Sequence, residues 1–521
     1  MSIHIRYEWT IFKPKNPMKK HFLLLAAIVL SIPILKAGYT LPGSGTSISP
    51  YLISTPAQLK EVSDSIQRDS VVVGKMLYRN MQYKVTADLD MTGVSWTPIG
   101  IGGSNSFRGV FDGNNKIIKN LTLGTATIRS AHSIGGLFGV ISSSATVKNI
   151  ILENISIYTT INTKGDCAIA SLSGSVTESS VVSNCHASGV IDVEYVGLAP
   201  VAPEVAGSMV VGGLIAKLNA TTTATLPNPT TVINCMTNVS INARNTGTVL
   251  GTQGAVGGLV ALSPNATAPM TRAEIINCYA LGNINAEAST QVLAVSGIVA
   301  RNCPNVYNVY AAGNLKAKTT TGLLHCMGLV GVRGGGLVSA IAMSDSIVTE
   351  SQTTHTVYRM INTATNCNQM FASPDMKLNG NKILSENLNA TQDKIFGENL
   401  TDMVNQPKTI LNTYVNDYVR VRGIDLMAWT VSPTVNNGKP ALTGAYIPVP
   451  TAVKQLKLNG VKVYSSNGKL VVEGETNNLQ ISVYNITGQL VCKVKKTNER
   501  MVINLVKGIY LVQGIGKVIV Y

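Results

Sequence analysis

Three cysteines each follow an asparagine inside one recurring cassette: Asn184-Cys185-His186-Ala187-Ser188-Gly189-Val190-Ile191, Asn234-Cys235-Met236-Thr237-Asn238-Val239-Ser240-Ile241 and Asn277-Cys278-Tyr279-Ala280-Leu281-Gly282-Asn283-Ile284. Thiols repeated in one context could bind a soft metal or carry redox chemistry. A metal, however, needs ligands at fixed geometry, and these cassettes recur at variable spacing. The eight cysteines (Cys167, Cys185, Cys235, Cys278, Cys303, Cys326, Cys367 and Cys492) contain no CxxC pair, so zinc spacing is absent. Cysteine also serves as a small buried apolar residue, and that is the role expected here.

The carboxylates offer a second chemistry. Asp88, Asp90 and Asp112 could be paired acids or calcium ligands, but Asp112 precedes Gly113, as a tight turn demands. Asp192 with Glu194, and Asp166, are the mid-chain acids that a glycoside-cleaving pair could use. They are expected at a solvated corner. His186 is expected to be a packed or surface residue. No HExxH, GxSxG or dinucleotide fingerprint occurs, and Gly334-Gly335-Gly336 lacks the Lys-Ser or Lys-Thr of a phosphate loop. No catalytic residue, metal or cofactor is assigned.

The cassettes must be positioned by a repeated element. A degenerate copy, Asn308-Val309-Tyr310-Ala311-Ala312-Gly313-Asn314-Leu315, extends the series. Each copy follows a glycine-leucine or similar signal: the series is Gly135-Gly136-Leu137-Phe138-Gly139, a weaker Ser171-Leu172-Ser173-Gly174, Gly212-Gly213-Leu214-Ile215, Gly257-Gly258-Leu259-Val260, Ser296-Gly297-Ile298-Val299 and Met327-Gly328-Leu329-Val330. Leu137 to Asn149 and Leu172 to Asn184 are both 12 residues, whereas Leu214 to Asn234 is 20 and Leu259 to Asn277 is 18. The longer copies carry loop insertions at one turn of a common coil. Segments such as Thr146 to Ile157 are short, β-branched and bounded by small residues, with no sustained helical period. The expectation is a right-handed parallel β-helix in which asparagines and cysteines stack as ladders, the amides satisfying corner backbone groups and the thiols filling the interior.

Composition agrees. Charged residues are 13%, aromatic residues 5% and glycine 47 of 521, which suits a narrow coil filled by small and β-branched side chains. Ser54-Thr55-Pro56-Ala57-Gln58 predicts a capped helix with Leu59, Val62 and Ile66 on one face, able to cover the first coil. Phe107, Gly109 and Phe111 predict a strand that ends at Asp112-Gly113.

Lys19-Lys20, the apolar run Phe22 to Leu35 and the small exit Ala37-Gly38 predict an export signal over residues 1–37. Met18 is read as the working start and the preceding residues as an upstream extension. No later run is long enough to predict a membrane-spanning helix in the mature chain. Removing residues 1–37 lowers the formal net charge from +15 to about +10, and residues 451–521 hold ten Lys or Arg against three Glu. No recognition motif accompanies this charge, so no nucleic-acid partner is expected.

The remaining organisation follows: a lead and capping helix over 38–75, the coils over 76–345, the solenoid's C-terminal part and cap over 346–447, a linker over 448–455 and a β-sandwich over 456–521. Helices are predicted at Asn399 to Val404 and Ile410 to Val419. In the last region Val461 to Tyr464, Leu470 to Val472, Ile481 to Asn485 and Gly508 to Val512 alternate as strands, with turns at Asn467-Gly468 and Thr487-Gly488.

The order Tyr51 to Pro56, Thr86-Ala87-Asp88-Leu89-Asp90, Trp96 to Gly100, Phe107 to Gly113, Asn120-Leu121 and Gly136-Leu137-Phe138-Gly139 resembles the GLUG-repeat proteins of bacterial surfaces. The resemblance implies a parallel β-helix serving as a surface scaffold or adhesin-like module. Ile424 to Trp429 and Asn436 to Leu442 resemble the closing segment of the same family. Tyr484-Asn485 with Gly488-Gln489, Gly508-Ile509-Tyr510 and Lys517 resemble the type A C-terminal sorting domain of the type IX secretion system of Bacteroidota. That resemblance implies an outer-membrane or extracellular destination and the secretion and sorting machinery as partner; a glycan or host-surface ligand is a candidate partner, and neither resemblance defines one. The reading from another class is a carbohydrate-active β-helix enzyme, a polysaccharide lyase or glycosidase.

Overall fold

The computed structural model describes residues 41–521 apart from 70–76, 199–206, 220–227, 248–252, 264–272, 290–291, 303, 333–335, 354, 363–366, 384–394, 414–424, 433–434, 445–460, 467–468, 475–479, 486–489, 499, 506–507, 513–515 and 521. The chain divides after Pro42, and everything below concerns the unit Gly43–Tyr521. The export signal lies outside the described residues.

Each coil of the solenoid contributes four strands. In one coil these are Cys167–Ala170, Ser173–Val176, Val181–Ser183 and, beyond the Asn184-Cys185 corner, His186–Tyr195. In the next they are Met209–Gly212, Ile215–Leu218, Thr230–Ile233 and Met236–Asn245. Equivalent strands pair in parallel, Cys167 with Met209, Ser173 with Ile215, Val182 with Val232 and Ile191 with Ile241. The first strands stack into a seven-stranded sheet and the second into a six-stranded one. The two around the corner join a sheet of 22 strands. The fold is a parallel β-helix followed by an antiparallel sandwich.

The glycine signals sit where the first strand turns into the second. At Gly213 a Cβ would lie 1.8 Å from the Gly258 carbonyl oxygen, and at Gly258 it would lie 2.1 Å from that of Gly297. The neighbouring coil's backbone thus occupies the side-chain position, and the leucine that follows points inward: Leu137, Leu172, Leu214 and Leu259 are fully buried. Between the first two sheets the facing residues are small. Ala168, Ala255 and Ala294 meet Ala216, Ala261 and Ala300 in one apolar cluster. This explains the abundance of alanine, since any larger side chain would force the two sheets apart.

The N-terminal helix, Pro56–Gln67, forms as its sequence dictates. Thr55 accepts from the Gln58 backbone N–H, the Gln58 side chain returns the bond, and Leu59, Val62 and Ile66 are buried. Ser63 and Gln67 donate to the carbonyls of Thr97 and Pro98 and so tie the helix to the chain beyond. In the first coils Tyr83, Phe107, Phe111 and Phe138 form one stacked and edge-to-face group. The turn after Val110–Asp112 differs from expectation. Its left-handed residues are Asn114 and Asn115, and Asp112 accepts the Asn114 N–H.

The insertions in the longer coils fall between the second and third strands, where 220–227 and 264–272 lie outside the described residues. At the far end Glu398–Asn399 pairs with Phe371 and Ala372 as a partial coil. Asn399 is therefore a strand residue and not the start of a helix. The helix of this region is Asn405–Thr413, preceded by Asp402, whose carboxylate accepts the N–H groups of Val404 and Asn405. Most of the second predicted helix lies outside the described residues. The segment expected to cap the solenoid instead runs back along its flank: Ile410, Leu411, Trp429 and Leu442 cover Met236, Tyr279, Tyr310 and Ile341. Those residues form an apolar outward column on successive coils, which would otherwise be left in water.

The sandwich packs Val461–Ser466, Lys469–Gly474 and Arg500–Asn504 in one sheet against Gln480–Asn485, Leu490–Lys495, Gly508–Val512 and Gly516–Val520 in the other. Leu470, Val472 and Ile503 of the first meet Ile481, Val483, Tyr510 and Val512 of the second. Both predicted turns lie outside the described residues, as do Gly488 and Gln489.

Replacing Gly258 by valine should therefore lower stability by about 1–3 kcal/mol or more through overpacking. Gly103, around which a Cβ would meet nothing within 4 Å, should accept alanine within about 0.5 kcal/mol. Thermal unfolding followed by circular dichroism checks the pair, and equal losses would refute the assigned role of the glycine.

Candidate functional site

Seven successive coils turn their corner through one left-handed residue. Asn149, Asn184, Asn234, Asn277, Asn308, Ser339 and Gln369 all have φ between 53° and 58°. Outside glycine, asparagine adopts this conformation most readily, so its recurrence begins as a backbone requirement. The side chains then add a ladder. Asn149 Nδ2 donates to Asp112 Oδ1 (2.9 Å), Asn184 to Asn149 (3.0 Å), Asn234 to Asn184 (3.2 Å) and Asn277 to Asn234 (2.7 Å). The amides thus bond mainly to each other rather than to corner backbone groups of the coils.

Each amide donates toward the preceding coil, so the first position needs only an acceptor. Asp112 supplies it. A shorter ladder repeats the device: Asn154 donates to Asn120 (2.7 Å), which donates to Asp90 (2.8 Å). Hydrogen bonds from Thr92 and then Asn120 hold the Asp90 carboxyl well below the usual carboxylate range. Asp88 accepts the Ile117 N–H. The three acids considered as a calcium set therefore serve separate local structures, and no metal-sized His, Cys, Asp or Glu cluster exists among the described residues.

The cysteines stand just inside these asparagines and are fully buried. Cys185 N–H donates to Cys235 Sγ and Cys235 N–H to Cys278 Sγ, each at 3.4 Å. The thiols in turn donate to the carbonyls two residues back, at 3.2 Å. Sulfur thereby serves an N–H that the turned corner leaves without a strand partner. Burial pushes the Cys185 and Cys278 thiols well up, and takes Cys167 up to about 12, so these groups stay neutral.

On the outward face of the long strands the sequence analysis missed a second ladder. Glu194, Arg244, Glu287, Lys318 and Glu350 occupy one register position on five successive coils. Coils lie about 4.8 Å apart, where like charges would repel, and the signs alternate. The signal was available: the first four of these residues each stand ten places after a corner asparagine.

Asp192 and Glu194 lie within the second half of the strand His186–Tyr195 on this face, not at the Asn184 corner. Asp192 is bound by Arg129 at 2.7 Å and approached by Arg244 at 3.6 Å. Arg129 also bonds Thr160 Oγ1 and the carbonyl of Thr159, so it clamps two coils. Asp166 pairs with Lys217. His186 is buried in the apolar outward column, in register with Met236. His325 lies partly buried, its imidazole pushed down by burial and by Arg301.

Farther along, Lys318, Val348, Glu350, His355 and Asn379 line an open groove of about 950 Å³. Lys316 and Lys318 approach Glu350 at 3.4 and 3.7 Å, and Asn379 Oδ1 accepts the Thr349 N–H at 2.7 Å. Glu350 is the one carboxylate in that lining.

No family model matches the chain. Halomucin of Haloquadratum walsbyi is 29% identical over 119 residues, which are 22% of this chain and 1% of that protein. A protein of Evansella cellulosilytica described as a Gly-rich membrane protein is 32% identical over 143 residues, 26% of this chain and 15% of that one. The chain thus spans only a small part of either curated relative. Among solved structures, one described as an immunoglobulin A1 protease from Bacteroides ovatus superposes with a TM-score of 0.43 at 17% identity, covering 77% of this chain and 94% of that chain. Another, described as an IgA1 protease, gives 0.33 at 15% identity over 70% and 26%.

Two expectations follow from the ladders. Asn234→Gly keeps the left-handed corner but strips partners from Asn184 and Asn277, at about 1–3 kcal/mol per stranded group. Asn234→Ala should cost about 1 kcal/mol more, because its Cβ opposes that conformation. Denaturant titration separates the two, and an alanine variant as stable as the glycine one would refute the conformational account. The Asp90 carboxyl, depressed in the folded state, contributes stability above the unfolded carboxylate range near pH 4. That contribution is lost as pH falls further. Melting temperatures between pH 5 and 2 should fall less steeply for Asp90→Asn than for the unaltered chain.

Proposed function

We propose that this chain is an exported cell-surface β-helix scaffold, adhesin-like or structural, of the GLUG-repeat kind, delivered by the type IX secretion system. The observation that carries the reading is the long-strand flank. Two of its acids are held by cations of other coils: Asp192 by Arg129 and Arg244, and Glu350 by Lys316 and Lys318. Such pairing suits a face that presents charge at one-coil intervals, whereas acid–base catalysis needs a carboxyl free to take up and release a proton.

Delivery rests on the two ends of the chain. The basic start, apolar run and small exit of residues 18–38 support export. The compact sandwich with Tyr484, Asn485 and Tyr510 supports a separable address. Its strands close on their own core, so it can be recognised without unfolding the solenoid. The ligand we favour is a surface glycan, met by the hydroxyl, amide and lysine groups around Glu350.

Expression of the full chain and of a version ending at Pro450, followed by surface proteolysis and cell fractionation, tests delivery. The full chain should be cleaved at the cell surface and the shortened one retained in the periplasm. Equal surface exposure of both would refute the sorting role. For the ligand, a glycan array probed with the exported chain should lose its signal when Lys316 and Lys318 are both changed to alanine, and an unchanged pattern would remove the groove from the reading.

A further inference from the structure

The groove beside Glu350 exists because the next coil stops short. The strand Ser346–Ser351 pairs with Leu315–Thr319 of the preceding coil from Ile347 to Ser351, but on its far side only Ser346 and Ile347 have strand partners, Lys377 and Leu378. There the chain turns back through Asn379 and Gly380, at φ 48° and 86°, into the hairpin strand Asn381–Lys382. The Asn379 side chain accepts the Thr349 N–H, and beyond it Glu350 and Ser351 form an open strand edge among the described residues. The charged flank thus ends in a step.

The step leaves one cation in surplus. In the row Glu194, Arg244, Glu287, Lys318, Glu350 every charge has an opposite one beside it. The adjacent row reads Asp192, Asn242, Asn285, Lys316, Val348, so the neighbours of Lys316 in its own row are neutral. Lys316 instead reaches diagonally to Glu350 Oε1 at 3.4 Å, while Lys318 approaches Oε2 at 3.7 Å. One carboxylate is shared by two ammonium groups, at distances longer than a good hydrogen bond and with all three side chains about half exposed. Pairs of this kind hold weakly, so a second carboxylate can take Lys316 while Glu350 stays with Lys318. Beside Lys316 in register stands Val348, 37% exposed, the one large apolar side chain exposed on the long-strand flank among the described residues. Thr320, Ser351 and Asn379 supply hydroxyl and amide groups around it.

A surplus cation, a small apolar patch and a polar rim match the parts of a single sugar ring that carries an acid. We propose that the groove selects glycans whose pyranose rings bear a carboxylate, as uronic acids do. The carboxylate sits on Lys316, the C–H face of the ring lies on Val348, and the ring hydroxyls meet Glu350 and the open edge. This inference rests on the glycan reading given above and adds the charge class of the sugar.

The test begins with the full exported chain on an array of neutral, carboxylated and sulfated glycans, on which the carboxylated ones should give the strongest signals. Titration then compares a galacturonate trisaccharide with its carboxyl-reduced galactose counterpart, and the unaltered chain should prefer the acid by about tenfold or more. Lys316→Gln should abolish that preference and leave the affinity for the galactose trisaccharide unchanged. Glu350→Gln removes the competing carboxylate and should tighten the acid by about threefold without tightening the neutral sugar. Val348→Ser should weaken both. Equal affinity for the two trisaccharides, or a preference that survives Lys316→Gln, would overturn the proposal. Signals from neutral glycans alone would overturn it and leave the glycan reading standing, whereas a blank array would overturn both. Sulfated glycans binding as well as carboxylated ones would assign the groove to polyanions at large, which equally overturns it.

Discussion

The structure depends on one backbone event, a single left-handed residue at which each coil turns from its short strand into its long one. That conformation is disfavoured for most side chains and tolerable for asparagine. Once asparagine is there, its amide reaches the equivalent amide one coil away, because the stacking of parallel strands brings the two corners together. The corner therefore sets the register of the coils on both sides. Hydrogen bonds between strands hold neighbouring coils, but the ladder decides which residue faces which.

Other features follow from that register. Thiols inside the corner accept N–H groups of the turned peptides, and acceptor-only aspartates begin both ladders where no further asparagine could receive a bond. Glycine is required where the next coil's carbonyl occupies the Cβ position, and alanine where two sheets face each other. On the outside, the same register places charges of alternating sign one coil apart. Surface pairs of this kind contribute only about 0–1 kcal/mol each. Their value lies in allowing a flat charged face on a stack that would otherwise repel itself.

Much of the fold was legible because each coil repeats it. The cassettes and glycine signals imply stacked strands, the capping box implies the first helix, and alternation after residue 456 implies a sandwich. Three features were read differently. Asp192 and Glu194 were expected at a corner because a single copy does not reveal how far the long strand runs, and it runs through both. Asn399 was taken as helical because a two-residue strand has no periodicity to detect. The return of Ile410 to Leu442 along the flank was not foreseen, since the column it covers is assembled from residues on different coils.

The sequence alone determined the coil, its corner residue, its glycine turn and the change of pattern near residue 456, because these are local preferences repeated many times. Tertiary structure decided what lies beside what. Met236, Tyr279, Tyr310 and Ile341 are separated by 30 residues or more, and only stacking makes them one apolar stripe that Trp429 can cover. The alternating charges likewise become a ladder only when coils of 30 to 50 residues are brought into register at about 4.8 Å. A property shared by distant positions has no local signature, and coil lengths that vary through insertion remove the fixed spacing that would have shown it.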